Sequence, residues 1–174
     1  MEADAASTLE FINRQRTRRL ELARLRRQTE GALARLGVQE WNLTFYFVGA
    51  RKMAALNATQ LGHDGPTDVI TFDYAERPAS SPKSEARTPK RPHLHGEIFI
   101  CVDVAVAQAR AFRTTWQAEV LRYLIHGCLH LCGYDDLTPA ARRVMKRVED
   151  RLVRQVIESP RNRRRSRPRC DSTT

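Results

Sequence analysis

The chain has 174 residues, with 30 Lys and Arg against 20 Asp and Glu, so its formal net charge at pH 7 is +10. Hydrophobic residues make up 41% of the sequence, which supplies a folded core and excludes a wholly disordered protein. No stretch approaches the roughly 20 consecutive apolar residues that a membrane helix needs, so a membrane-spanning role is excluded. One globular domain is expected.

The first half of the chain predicts alternating strands and helices. Residues 9–13 favour a short strand. From about residue 18 to 36, leucines recur at helical spacing opposite arginines, which predicts an amphipathic helix with a basic face that ends at Gly37. Further elements are predicted as a strand at 41–48, a short helix at 51–57 and a strand at 68–74.

A Pro-rich segment interrupts this pattern. Between residues 76 and 95 lie half of the prolines, among Ser, Lys and Arg, which indicates a flexible surface excursion within one domain. A strand follows at 96–102, and its unbroken apolar centre predicts burial on both faces. The last helices are predicted at about 104–112, 115–131 and 138–157, and the composition of residues 158–174 indicates a basic disordered tail.

These elements predict an α+β fold over residues 1–157, with a small mixed four-stranded sheet packed with helices. The final helix is expected to bury a stripe formed by Val144, Val148, Leu152 and Val156. Three aromatic side chains are assigned to packing, namely Phe112, Trp116 and Tyr123.

The excess positive charge lies in two segments. Residues 14–27 hold seven Arg and one Glu, and residues 158–174 hold six Arg and two acidic residues. Clustered Arg is typical of proteins that bind a polyanion, because neutralising phosphates releases counterions. A solvated helix face followed by a frayed tail is the alternative. The four cysteines are too sparse for a disulfide framework and the first residues resemble no secretory signal, so a cytoplasmic protein is expected.

The segment from His126 to Asp136 carries the strongest chemical signal. His126 and His130 are four residues apart on a predicted helix, so both imidazoles can reach one ion at about 2.0–2.1 Å. Gly133 can end the helix in a left-handed conformation, after which Asp136 can supply a carboxylate. Three protein ligands leave a fourth position for water, as in catalytic zinc sites. The prediction is one Zn²⁺ at the end of a late helix, with metal-bound water as the sole assigned catalytic group.

Other interpretations of this segment remain open. Spacing does not separate Asp135 from Asp136 as the third ligand, and a bare pair of histidines also fits two hydrogen-bonded side chains. Cys128 and Cys132 each lie two residues, roughly 200° of helix rotation, from a histidine, so they are expected to face the core. Gly127 stands where zinc peptidases carry their general-base glutamate, which disfavours a peptidase.

The run His126-Gly-Cys-Leu-His-Leu-Cys-Gly-Tyr-Asp-Asp136 resembles the signature of the YbeY endoribonucleases, His-Gly-x-Leu-His-Leu-x-Gly-Tyr-Asp-His. Leu56-Asn57, the run Pro-Thr-Asp-Val-Ile-Thr-Phe at residues 66–72, and Gly96-Glu97-Ile98 are similar to further blocks of that family. The resemblance spans about residues 40–150. It implies a zinc-dependent, single-strand-specific endoribonuclease that acts in 3′-end maturation of the small-subunit ribosomal RNA and in ribosome quality control.

The implied partners are ribosomal RNA and the small ribosomal subunit. The chain departs from the family pattern at Asp136, where the usual third ligand is a histidine, and at Leu61, where many members carry an arginine implicated in cleavage. A nonenzymatic, zinc-containing ribosome-assembly factor that binds RNA is therefore the alternative function, and a zinc peptidase is a weaker one.

Several polar residues are candidates for supporting roles around this site. Asp68 is expected to cap a turn or to orient a ligand histidine. His63 could approach the metal or the RNA, and it fits a loop histidine beside a turn at least as well. The candidate RNA contacts are His63, Arg122, Arg143 and Arg147.

Overall fold

The computed structural model describes residues 7–75 and 93–158. They confirm the α+β fold, as a four-stranded sheet with five helices. Residues 76–92 of the excursion predicted at 76–95, and residues 159–174 of the tail predicted at 158–174, lie outside the described residues. In chain order the elements are β1 (Thr8–Asn13), α1 (Leu22–Leu36), β2 (Glu40–Val48), α2 (Ala50–Leu61), β3 (Val69–Asp73), β4 (His93–Cys101), α3 (Val102–Phe112), α4 (Trp116–Leu131) and α5 (Pro139–Glu158).

The sheet has the strand order β1-β2-β4-β3, in which β3 alone runs antiparallel to its neighbour. Phe45 and Phe47 of β2 pair with Ile98 and Ile100 of β4, and all four side chains are fully buried. The residues that alternate with them along the strands face the other side of the sheet, and of these Phe99 is only half-buried. The prediction that β4 is buried on both faces is therefore wrong, because the main core covers one face and Met53 of α2 packs at one end of the other.

Several element boundaries differ from the sequence prediction, and α2, predicted at 51–57, extends to Leu61. β4 begins at His93 rather than at residue 96, because residues 93–96 pair with residues 40–43 of β2. The last three positions of the predicted excursion are thus strand. α1 begins at Leu22, since the Gln15 side chain bonds both the N–H and the carbonyl of Arg18 (3.0 and 2.7 Å) and holds that segment in a turn.

α4 is the central helix of the core. The Thr115 side chain caps its first turn by accepting a hydrogen bond from the Ala118 N–H at 3.2 Å. Tyr123, Cys128 and Cys132 are buried, as predicted. Within the described ranges, no helix has both the length and the apolar character needed to cross a bilayer.

The buried stripe of α5 follows a 3.6-residue period. Steps of four residues drift about 40° around a helix, so the predicted stripe rotates away from the core at its N-terminal end. Val144 is consequently 39% exposed, and Met145 takes its place. Phe112 is likewise not a packing residue, since it is 68% exposed at the last position of α3. The buried residues of α5 are Met145, Glu149, Leu152, Val153 and Val156.

Candidate metal centre and its cleft

The two histidines of α4 meet at their Nε2 atoms. His126 and His130 are both half-buried, and their Nε2 atoms lie 3.0 Å apart. Two nitrogens that bind one tetrahedral ion at about 2.0–2.1 Å are separated by about 3.3 Å. The pair therefore stands close to the arrangement that one metal ion requires.

The chain reversal after α4 brings a carboxylate to the same place. Gly133 has a φ of 93°, and the next N–H, that of Tyr134, bonds back to the Leu129 carbonyl at 3.0 Å. One ligand atom from each of His126, His130 and Asp136 lies within 4.8 Å of the other two. Turn geometry, which spacing could not give, thus favours Asp136 as the third ligand.

Asp135 has a different role. Its exposed side chain accepts a hydrogen bond from the backbone N–H of Leu137 at 3.1 Å, which closes a turn in front of α5.

Both imidazoles are oriented through their Nδ1 atoms. The Nδ1 of His130 lies 3.2 Å from the carbonyl of Tyr134, and the Nδ1 of His126 lies 2.9 Å from the Glu149 carboxylate. A carbonyl and a carboxylate can only accept, so both Nδ1 atoms carry the proton and both Nε2 lone pairs point at the shared space. Two lone pairs at this separation repel unless a cation lies between them; a shared proton would meet that need, and so would a metal ion.

The two histidines differ in proton affinity. Burial alone would lower the pKa of His126, but the hydrogen bond and the charge of Glu149 outweigh it and raise that pKa above its ordinary value. Burial, together with the charge of His126, lowers the pKa of His130. His130 is thus the more readily deprotonated partner of the pair.

Glu149 is the functional residue that the sequence analysis missed. This α5 carboxylate is 6% exposed, and its second oxygen lies 2.6 Å from a guanidinium nitrogen of Arg122. Arg122 also bonds Asp150 at 2.5 Å and approaches Glu119 at 3.9 Å. The predicted stripe of α5 passed through Val148 instead, so the burial of Glu149 beside His126 could not be read from the sequence.

An open cleft of about 440 Å³ borders this centre, and its described lining includes His126 and Asp136 but not His130. α3 and α4 contribute Phe112, Arg122 and His126, and α5 contributes Arg142 and Lys146. The lining carries four carboxylates and three cationic side chains, so a divalent ion would change its formal charge from −1 to +1. The carboxylates are Asp68, Glu119, Asp136 and Glu149, and the cations are Arg122, Arg142 and Lys146.

The four candidate RNA contacts have different surroundings. Arg122 lies in the cleft but is held by carboxylates. Arg143 and Arg147 are exposed on α5, and neither is among the described residues that line the cleft. His63 is exposed just after α2, also outside that lining. RNA contacts at His63, Arg143 and Arg147 therefore remain predictions. The cationic residues of α5 that line the cleft are Arg142 and Lys146.

Asp68 lines the cleft together with His126, and its charge favours the protonated form of both histidines, although the pKa of His130 is lowered overall. Its carboxylate accepts hydrogen bonds from the Thr67 hydroxyl at 3.0 Å and from the Val69 N–H at 2.9 Å. Both bonds go to immediate neighbours in the chain, so the turn-capping and histidine-orienting roles expected of Asp68 stay predictions.

Gly127 has a packing role that explains why no glutamate stands there. A Cβ at this position would lie 2.6 Å from Cγ2 of Ile98, which is too close for any side chain. The glycine lets α4 lie against β4, so the helix face beside His126 has no room for a peptidase base.

Comparison with known proteins shows the family of the chain. The family model described as Endoribonuclease YbeY matches residues 10–157. The chain belongs to the YbeY endoribonuclease family. That membership supports an endoribonuclease role, and the matched range includes every residue of the candidate metal centre.

Individual YbeY relatives give the extent of the similarity. Endoribonuclease YbeY of Salinibacter ruber is 31% identical over 144 residues, which cover 83% of this chain and 88% of the relative. That of Chlorobium luteolum is 34% identical over 140 residues, covering 80% and 92%. That of an Anaeromyxobacter species is 40% identical over 131 residues, and the match covers 75% of this chain but 62% of the relative.

A solved structure supports the same YbeY-like fold. The solution structure of a Thermotoga maritima protein superposes with a TM-score of 0.60 at 21% identity, covering 95% of this chain and all of that one. At 21% identity the likeness supports the fold alone.

Proposed function

We propose that this protein is a zinc-dependent endoribonuclease that cuts single-stranded RNA. The observation that carries the proposal is the meeting of His126, His130 and Asp136, with ligand atoms within 4.8 Å of one another, in a YbeY-family chain. Of these three residues, His126 and Asp136 also line an open cleft. Two imidazole nitrogens and one carboxylate oxygen are a donor set that suits Zn²⁺. When bound there, zinc would supply a Lewis acid that polarises a phosphoryl oxygen and acidifies water.

Side chains around the cleft would bind the substrate and orient the metal ligands. Arg142 and Lys146 are exposed on the cleft side of α5, where they can attract the phosphates of an RNA backbone. Arg142 also donates a hydrogen bond to the backbone carbonyl of Asp136 at 3.0 Å, which ties the ligand loop to α5. Glu149 holds the Nδ1 proton of His126 and is itself held by Arg122, so its role is orientation.

The substrate we propose is ribosomal RNA in the cytoplasm. The resemblance to the YbeY endoribonucleases implies action at the 3′ end of the small-subunit RNA, within the small ribosomal subunit, and a part in ribosome quality control. The basic segment at residues 14–27 would add affinity without sequence preference, because phosphate contacts carry no base information.

A cleavage assay tests this function. Metal-stripped protein should not cut a precursor of small-subunit ribosomal RNA, and stoichiometric Zn²⁺ should restore cutting. His126→Ala should bind zinc weakly and cut nothing, whereas His95→Ala, an exposed histidine outside the cleft lining, should behave as the wild type. Cleavage that survives in the metal-free protein or in His126→Ala would disprove the proposal.

One alternative is favoured by specific residues. Asp136 stands where YbeY proteins usually have a histidine, and Leu61 where many have an arginine. A nonenzymatic ribosome-assembly factor with structural zinc would bind RNA with a steep salt dependence and never cut it. Retained RNA binding without any zinc-dependent product would establish that alternative. The packing of Gly127 against Ile98 argues against a peptidase.

A further inference from the structure

An exposed aromatic side chain stands on the wall of the cleft. Phe112 is the last residue of α3 and is 68% exposed, and it lines the same cleft as His126 and Asp136. Packing in the core therefore does not explain why an aromatic side chain stands at this position. Its position beside the candidate metal centre places a flat apolar surface where an RNA substrate would lie.

The backbone after Phe112 is held in a conformation that favours glycine. Arg113 has a φ of 55°, which no other non-glycine residue of the described ranges shares in sign. The N–H groups of Arg113 and Thr114 both bond to the carbonyl of Ala109. This tight turn fixes the end of α3, so the Cα of Phe112 has a defined place on the cleft wall.

The other lining groups complement a nucleotide. Arg142 and Lys146 of α5 present positive charge to the same cleft, whereas Arg122 and Glu119 are already bonded to other side chains. A nucleotide has an anionic phosphate joined to a flat apolar base. The cations suit the phosphate, and the Phe112 ring suits the face of the base.

We propose that Phe112 stacks on one unpaired base of the RNA while Arg142 and Lys146 hold neighbouring phosphates. The inference rests on the proposed endoribonuclease function and adds the residue that makes its cleft select single strands. A base inside a duplex is already stacked on both of its faces and cannot lie against the ring. Every base has a π-face, so this selection does not depend on sequence.

Binding of labelled RNA to the zinc-loaded full chain tests the proposal. We expect Phe112→Ala to weaken binding of a mixed-sequence 12-nucleotide single strand by roughly 5- to 100-fold, with binding of the matching duplex unchanged. Phe112→Trp should bind the single strand as the wild type does. Phe112→Leu, which keeps apolar bulk without a ring, should remain as weak as the alanine variant.

A matched control and a spectroscopic signature complete the design. Tyr74→Ala removes an aromatic residue that is 50% exposed and lies outside the described lining of the cleft, and it should bind as the wild type does. A 2-aminopurine in the single strand should be quenched on binding to the wild type but not to Phe112→Leu. Melting temperatures should agree between the wild type and the three Phe112 variants, since Phe112 is exposed.

Two results would overturn the stacking role. One is a Phe112→Leu variant that binds and quenches as the wild type does, and the other is equal weakening of single-strand and duplex binding in Phe112→Ala. A parallel cleavage assay separates the two proposals. Stacking-dependent binding without any cleavage by the wild type refutes the nuclease function alone, and cleavage that ignores Phe112 refutes the stacking role alone.

Discussion

The two sides of the cleft are built differently. On the inner side, formed by Arg122, His126 and Glu149, each charged or polar side chain is bonded to another, and Glu149 is buried. On the outer rim, formed by Phe112, Arg142 and Lys146, the residues are exposed. There the Arg142 guanidinium donates only to a backbone carbonyl, that of Asp136, and the Lys146 ammonium lies 3.9 Å from the carboxylate of Asp150. The inner side is fixed before any ligand binds, whereas the rim can adapt to a substrate.

This difference assigns different tasks to the two sides. A metal site needs ligands that are already oriented, and partners bonded to those ligands supply the orientation. A surface that accepts RNA of any sequence needs charge and an open aromatic face rather than fixed hydrogen bonds. Substitutions on the inner side should therefore alter zinc affinity, and substitutions on the rim should alter RNA affinity.

The largest expected effect concerns the third ligand. Asp136→Ala should lower zinc affinity by more than about 100-fold, because losing a ligand costs more than losing a partner that orients one. Competition with a chromogenic chelator measures this. Asp135→Ala is the matched control at the adjacent position, and it should keep its affinity because Asp135 bonds only the turn before α5. Equal losses in the two variants would contradict the assignment.

Glu149 should have the next largest effect on zinc. Glu149→Gln keeps an acceptor for His126 but removes the charge that Arg122 and His126 share, and it should weaken zinc binding by about 10- to 100-fold. Glu97→Gln is a suitable control, since Glu97 bonds Tyr46 and Tyr74 instead. Unchanged zinc affinity in Glu149→Gln would show that the inner side does not orient the ligands.

The close packing of α4 on the sheet gives a stability prediction. Gly127→Ala places a Cβ 2.6 Å from Cγ2 of Ile98 and should destabilise the protein by about 1–3 kcal/mol in denaturant unfolding. In Gly31→Ala the new Cβ meets the flexible end of Arg35 at 3.3 Å. That variant should be neutral or slightly stabilising, because alanine favours a helix. A Gly127→Ala protein as stable as the wild type would contradict the packing.

The smallest expected effect lies on the rim. Replacing Arg142 or Lys146 by alanine should each reduce the salt dependence of RNA binding by about one unit of the logarithmic slope. Arg143→Ala and Arg147→Ala test the contacts predicted from sequence on the same helix. They should change the slope less, since neither side chain belongs to the described lining. Larger effects from Arg143 and Arg147 would place the RNA on another face of α5.

The sequence predicted those parts of the site that are local in the chain. Helical spacing joined His126 to His130, and Gly133 gave the chain reversal, because each depends only on near neighbours. Glu149 reaches His126 from another helix, and no local pattern records which carboxylate faces which imidazole. The predicted stripe of α5 began at Val144, whose exposure shows that the rotation of α5 was misjudged. The same rotation decides that Arg142, rather than Arg143, lines the cleft.

Some features of the fold also depend on contacts between distant parts of the chain, which local sequence patterns do not predict. Strand positions followed from the apolar patterns, but the start of β4 at His93 depends on pairing with residues of β2. Phe112 fitted the spacing of a packing residue, and its exposure depends on where α3 ends against the rest of the molecule. Tertiary contacts decide such cases, and a single sequence does not contain them in readable form.

X-ray absorption spectroscopy of the zinc-loaded protein tests the central claim most directly. The account predicts one zinc per chain, bound by two imidazole nitrogens and by oxygen at about 2.0–2.2 Å, with the imidazole signal lost in His126→Ala. A sulfur ligand at about 2.3 Å, which would come from a cysteine, or a zinc shell without imidazole would contradict it.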